Sequence, residues 1–302
     1  MDNMDLKEEL LNKVKAAIEE KLGDGEKCIT QQVMKNNGLE LTGLSIVRPG
    51  GNITPTVYIE GYIERYADGE TVENIAREIY KIMDPAKIPA FDLESFMDWN
   101  KAKMRVCMRM INRKLNKKLL EKVPHIPFLD LEIVFYYLMP DTLIRKEQVK
   151  GSIIIHNSHM DRWGVTEKEL YQHAFENTIH IRPPKLDRIE QLLGDLVGME
   201  LGVKNESPKL WVLSNEDRSY GAACMLYTRI LKDFADEHGK NVYILPSSVH
   251  ELILLEANDN DDKNALRDMI REVNRTSVSA DELLSDNLYY YDRKSCTVQI
   301  AA

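Results

Sequence analysis

Residues 242–256 read VYILPSSVHELILLE, two apolar runs divided only by Ser247-Ser248-Val249-His250. Such runs on either side of a short polar break read as two strands, 242–246 and 251–256, joined by a hairpin turn. Helical patterns precede and follow the hairpin, at 228–238 and 262–274. A helix that returns between strands needs a sheet to cover, so this part of the chain is expected to be a layered α+β domain.

The same texture begins near residue 102. Met104, Val106, Met108 and Met110 alternate with Arg105, Cys107, Arg109 and Ile111, the two-residue period of a half-buried strand. A basic helix is expected from there to about Val123, then strands at 131–139 and 151–156 and a helix from Val165. GAACMLY at 221–227 reads as a further strand. The order strand, helix, strand, strand, helix thus occurs twice. Thr166-x-x-Glu169, with Val165 and Leu170 around it, has the form of a helix-capping box with a hydrophobic staple, and Ser279-x-x-Glu282 repeats it with Val278 and Leu283.

Residues 1–100 differ. Leu6, Leu10, Leu11, Val14, Ile18 and Leu22 recur at helical spacing ahead of Gly23, and CITQQVMKNNGLELTGLSIV at 28–47 fits a hairpin turning at Asn37-Gly38. Helical patterns resume at 57–66, 70–83 and 91–99. The division expected is 1–100, mostly helical with one small hairpin, and 101–302, the layered α+β domain.

The longest apolar runs, such as IVFYYLM at 133–139, fall far short of the roughly 20 residues that a bilayer-spanning helix needs. The start, MDNMDLKEELLNK, is acidic where a secretory signal would be basic and then apolar. A cytoplasmic location is therefore expected, with no membrane association. Cys28, Cys107, Cys224 and Cys296 stand singly, as reduced structural thiols do. A formal net charge of −9 argues against general attraction to nucleic acid. The exception is local: Lys101, Lys103, Arg105, Arg109, Arg113, Lys114, Lys117, Lys118 and Lys122 face a single acid, Glu121, which describes a solvated face or a candidate basic patch.

Six phrases carry a resemblance: MKNNGLELTGLSIVRPGGNITPTVYIE, HNSHMDRWGVTEKELYQHAFENT, YGAACMLY, YILPSSVHELILL, REVN and LSDNLYYYD. Together they resemble an uncharacterised family in Firmicutes, domain of unknown function 5688, over essentially the whole chain. The central and C-terminal phrases are also similar, more distantly, to domain of unknown function 1444. The resemblance implies a cytosolic bacterial protein and carries over no activity, cofactor or catalytic residue.

Chemistry must then be weighed residue by residue. Ser247 or Ser248 with His250 has the ingredients of a nucleophile and its base, yet no Gly-x-Ser-x-Gly elbow is present, and a turn whose hydroxyls bond its own backbone accounts for both serines. His156-x-x-His159 lacks the spacing of a zinc-binding His-Glu-x-x-His helix, so no metal is expected. No phosphate-binding glycine loop occurs, so no cofactor is expected either; Arg48-Pro-Gly-Gly-Asn52 is a turn with one cation. The tyrosine run 289–291 should alternate between the faces of a strand. If the Arg218–Gly221 loop lies beside the 247–250 turn, Tyr220, Ser247, Ser248, His250 and Asp286 form a polar pocket. The reading that follows is a non-catalytic interaction or binding protein with a protein partner. The alternatives are a hydrolase using His250 with Ser247 or Ser248, and a nucleic-acid-associated protein using residues 101–122.

Overall fold

The computed structural model describes residues 3–51, 54–84, 91–139, 151–192 and 209–301. The chain is an α+β protein of two compact units, Met1–Met97 with Met139–Gly151, and Asp98–Leu138 with Ser152–Ala302. Among the described residues no helix is long and apolar enough to cross a membrane.

In the first unit the leucine and valine stripe forms the helix Asn3–Glu19, and Leu10, Val14 and Ile18 are fully buried. They share a core with Leu44 and Ile46 of the sheet and with Ile75 and Ile79 of the helix Val72–Ile82. Strands β1 (Lys27–Met34) and β2 (Glu40–Val47) pair antiparallel from Lys27↔Val47 to Met34↔Glu40, and a short β3 (Val57–Tyr58) pairs with β2. The turn between β1 and β2 needs left-handed backbone, which Asn37 (φ 59°) and Gly38 (φ 72°) supply. After β3 the expected helix at 57–66 is broken into a 3-10 turn, Ile59–Tyr62, and the helix Ile63–Ala67. Arg48 is committed within this unit, bonding Glu26 at 2.6 Å and the Met83 carbonyl at 2.8 Å.

Two antiparallel sheets build the second unit. In the first, β4 (Val106–Asn112) and β5 (His125–Phe128) flank β6 (Leu131–Leu138), and β7 (Ser152–Ile154) pairs with β6 beyond the end of β5. All eight residues of β6 are buried, as the apolar run from Ile133 requires, and the one charged residue, Glu132, is paired with Arg113. The helix Glu167–Ile181 lies along the open side of β4: Thr178 Oγ1 accepts the Met108 N–H at 3.0 Å, and Asn177 Nδ2 donates to the Lys103 and Val106 carbonyls. Thr166 caps this helix as its sequence requires, accepting the Glu169 N–H, while the Glu169 carboxylate accepts from the Trp99 indole instead of closing the box.

The second sheet has six strands in the order β13 (Thr297–Ile300), β12 (Tyr289–Asp292), β10 (Val242–Pro246), β11 (Leu252–Glu256), β9 (Leu210–Asn215), β8 (Pro184–Arg188), antiparallel throughout. Alternation along the strands gives each face its own helix. Tyr243, Leu245, Ile253 and Leu255 pack on Leu266 and Ile270 of the helix Lys263–Ser277. Trp211, in register with Leu254, meets Phe234 of the helix Thr228–His238 at 5.0 Å between rings. Tyr289 and Tyr291 are fully buried and Tyr290 is half-buried, the alternation expected of a strand.

Three expectations are corrected. GAACMLY is a 3-10 helix, Gly221–Leu226, with every residue from Gly221 to Met225 buried; β9 takes the place of the first strand in the second strand, helix, strand, strand, helix order. The basic helix is a single turn, Lys117–Leu120, because Asn112 and Asn116 side chains bond nearby backbone and hold residues 112–116 in turns. Ser279-x-x-Glu282 begins no helix: the Glu282 and Leu283 N–H groups bond the Ser279 carbonyl in a turn and the chain then runs on to β12.

Candidate functional site

The end of β9 is held unusually tightly. Asn215 Oδ1 accepts the Ser219 N–H at 3.1 Å, its Nδ2 donates to the Ser219 carbonyl at 2.8 Å, and its own carbonyl accepts the Arg218 N–H. Within this loop Arg218 (φ 49°) and Tyr220 (φ 57°) are left-handed, a conformation that costs a bulky residue on the order of 1–3 kcal/mol. Gly221 follows because nothing larger fits: a Cβ there would lie 2.2 Å from Ser214 Oγ and 2.5 Å from the His250 carbonyl. The 247–250 turn is therefore pressed against the β9 loop, and Ser214 Oγ donates to the same His250 carbonyl at 2.7 Å.

His250 joins the two loops. Its Nδ1 accepts the Tyr220 N–H at 3.1 Å and its ring stacks on the Tyr220 ring, with centroids 5.5 Å apart and planes 22° from parallel. An Nδ1 that accepts leaves the neutral ring's proton on Nε2, which faces Glu282 Oε1 at 3.5 Å. Ser248 Oγ accepts the His250 backbone N–H at 3.0 Å, closing the turn, and Ser247 makes no hydrogen bond among the described residues. Asp286 is exposed and accepts from Asn274 Nδ2 at 2.8 Å. Of the five residues grouped in the sequence analysis, Tyr220 and His250 are in contact, and Ser248 bonds the His250 backbone within its own turn. The carboxylate at the imidazole is Glu282, and Asp286 is tied to Asn274.

Two arginines complete the corner. The Arg182 guanidinium, buried, donates from Nη1 to the Ser219 carbonyl at 2.9 Å and lies 3.5 Å from Asp217 Oδ2. It also lies 5.6 Å from the Tyr136 ring centre. Arg109 sits over the Tyr220 ring at 4.7 Å and is half-buried; its Nε is shut off from solvent, and among the described residues it has neither a carboxylate nor a hydrogen-bond acceptor. Below them Tyr136 and Cys107 are buried. Burial pushes both the phenol and the thiol up, with nearby Arg182 opposing it in each case, and burial alone pushes the Cys224 thiol up to about 12. These thiols are held protonated, unlike the thiolate that a nucleophilic cysteine requires.

The other candidates resolve into local structure. His159 Nδ1 accepts the His156 N–H at 3.1 Å at the start of the helix Asn157–Trp163, so this pair caps a helix; among the described residues no group of three His, Cys, Asp or Glu is placed to hold a metal ion. His180 Nδ1 bonds the Glu176 carbonyl of its own helix. In the basic segment Arg105 donates to the Leu138 carbonyl at 2.7 Å, and Arg113 donates to the buried Glu132 and to the Leu131 carbonyl. Lys101, Lys114, Lys117 and Lys118 are exposed and Lys103 is half-buried. The sequence reading had not singled out Arg182 or Asn215, because each acts on a loop distant in the chain.

An antiparallel α+β protein with a stacked arginine, tyrosine and histidine corner is the class that fold and site define. The chain belongs to the family of unknown function DUF5688, whose sequence profile matches residues 7–293. No curated protein and no solved structure matches the chain.

Proposed function

We propose that the protein is a non-catalytic binding protein, and that Arg109 on its Tyr220 platform takes a carboxylate presented by an acidic segment of a partner protein. The observation that carries this reading is the Arg109 guanidinium itself, half-buried over Tyr220 with no acceptor among the described residues, its Nε closed to solvent and its two terminal nitrogens left open to a carboxylate. Part of its desolvation cost is already incurred without a compensating bond, so an incoming carboxylate gains more there than at a hydrated surface cation. The flat, fixed donor fork of arginine suits a carboxylate, and a tyrosine ring pinned by stacking orders the fork in advance.

Catalysis has less support. A serine nucleophile needs an imidazole lone pair, but His250 uses Nδ1 to accept a backbone amide and turns Nε2 to Glu282, while Ser248 Oγ is spent on the turn. The nucleic-acid reading loses Arg105 and Arg113 to carbonyls and Glu132.

Titrating the labelled protein with a glutamate-rich peptide and, separately, a lysine-rich one tests the reading. The acidic peptide should move the Tyr220 and His250 resonances, and Arg109→Gln should weaken it about tenfold or more. Unmoved resonances, or an unchanged affinity in the variant, would overturn it.

A further inference from the structure

A second site lies elsewhere on the six-stranded sheet. Register places Gln299, Tyr290 and Tyr243 side by side in one row across β13, β12 and β10, on the face that the helix Lys263–Ser277 only partly covers. Beside that helix's first turn the row opens into a cleft of about 350 Å³, which Asn258, Asp259 and Asp261 also line. This volume falls at the lower end of the roughly 300–1,000 Å³ typical of small-ligand sites.

The lining is chemically specific. The Tyr243 and Tyr290 rings pack at 5.6 Å and 56°, with Tyr243 buried behind Tyr290, so the half-buried Tyr290 ring supplies the aromatic carbon of the cleft. Asp261 Oδ2 accepts the Asn258 N–H, closing the loop that carries the exposed Asp259. Among the described residues the Tyr243 hydroxyl, the Asp259 carboxylate and the Gln299 amide have no hydrogen-bond partner, and Tyr243 is buried. Burial raises the Tyr243 phenol, and the charges of Asp261 and Asp259 raise it further, as groups facing one another across a small space should.

We infer that this cleft binds a neutral saccharide of one or two rings. The C–H face of a pyranose lies on an aromatic wall, and its hydroxyls donate to carboxylate and amide oxygens while accepting from phenol and amide donors. In the lining two carboxylates stand against Lys263, while the adjacent Lys240 is paired with Glu256 and bonded to Asn258 and Arg267 is bonded to the Ala301 carbonyl, a balance that disfavours an anion. An aliphatic ligand would leave the free polar groups buried and unbonded.

The test is a resonance titration of the whole protein with maltose, cellobiose, lactose and chitobiose, alongside cadaverine as a cationic probe. At least one disaccharide should move the Tyr243, Tyr290 and Gln299 signals in a saturable way. Tyr290→Ala should weaken that saccharide roughly tenfold through loss of the aromatic wall. Gln299→Ala, at an exposed position that leaves folding untouched, should weaken it several-fold. Response to cadaverine alone, response to none of the sugars, or wild-type affinity in both variants would overturn the assignment.

Discussion

His250 and His159 make the same bond with opposite reach. Each uses Nδ1 to accept a backbone N–H at 3.1 Å, but His159 accepts from His156, three residues away, and His250 accepts from Tyr220, thirty residues away. The first bond finishes one turn of helix. The second ties a strand's exit loop to a hairpin turn and, with Gly221 and Arg182, fixes where a tyrosine platform stands. An imidazole with a local partner is architecture of its own segment; one with a remote partner positions other groups.

Three substitutions break or sharpen this contrast. The largest effect is expected from Gly221→Ala, whose methyl group would collide with Ser214 Oγ, the His250 carbonyl and the Asn215 N at 2.2, 2.5 and 2.8 Å. Two of these atoms are backbone and cannot step aside, so a loss of about 3 kcal/mol is expected in urea unfolding. A loss within error would show the two loops to be looser than the contacts imply. Arg182→Met comes next: it keeps bulk but strips the Ser219 carbonyl of one donor and Asp217 of its cation, for about 2 kcal/mol. Its signature should be a displaced Tyr220 ring with the Asn157–Trp163 helix unchanged, read from near-ultraviolet dichroism and amide exchange.

The smallest effect belongs to the local histidine. Burial, and then the charge of His156, lowers the His159 pKa from 6.5. Its neutral form is the folded one, so its contribution is complete above 6.5 and is lost as pH falls below that value towards the lower folded pKa. His159→Asn keeps a capping acceptor without a titrating ring. The wild type should therefore lose more stability than the variant between neutral and mildly acidic pH, by less than about 1 kcal/mol. Parallel melting curves across that range would remove the cap from the account.

What could be read in the sequence follows the same division between near and far. The helix Asn3–Glu19, the Asn37-Gly38 hairpin, β6 and the β10–β11 pair follow from periodicity and turn chemistry within a few residues. GAACMLY misled because a run of small and apolar residues has no period to distinguish strand from 3-10 helix, and the left-handed Tyr220 that decides the matter is held by distant His250. Ser279-x-x-Glu282 has the spacing of a cap but lacks a helix to follow, since the chain must reach β12. At the candidate site, Tyr220, Ser248 and His250 could be grouped because two loops flank strands of one sheet. Glu282 in place of Asp286, and Arg182 beneath the loop, depend on packing that no local pattern encodes.

The helix beside β4 has a consequence for how molecules of this protein meet. Thr178 and Asn177 occupy main-chain groups on that strand's outer side that would otherwise invite another strand. Where these groups are taken, the start of β4 has no free main-chain donor or acceptor to offer a second molecule, which disfavours growth of the sheet along that part of its margin.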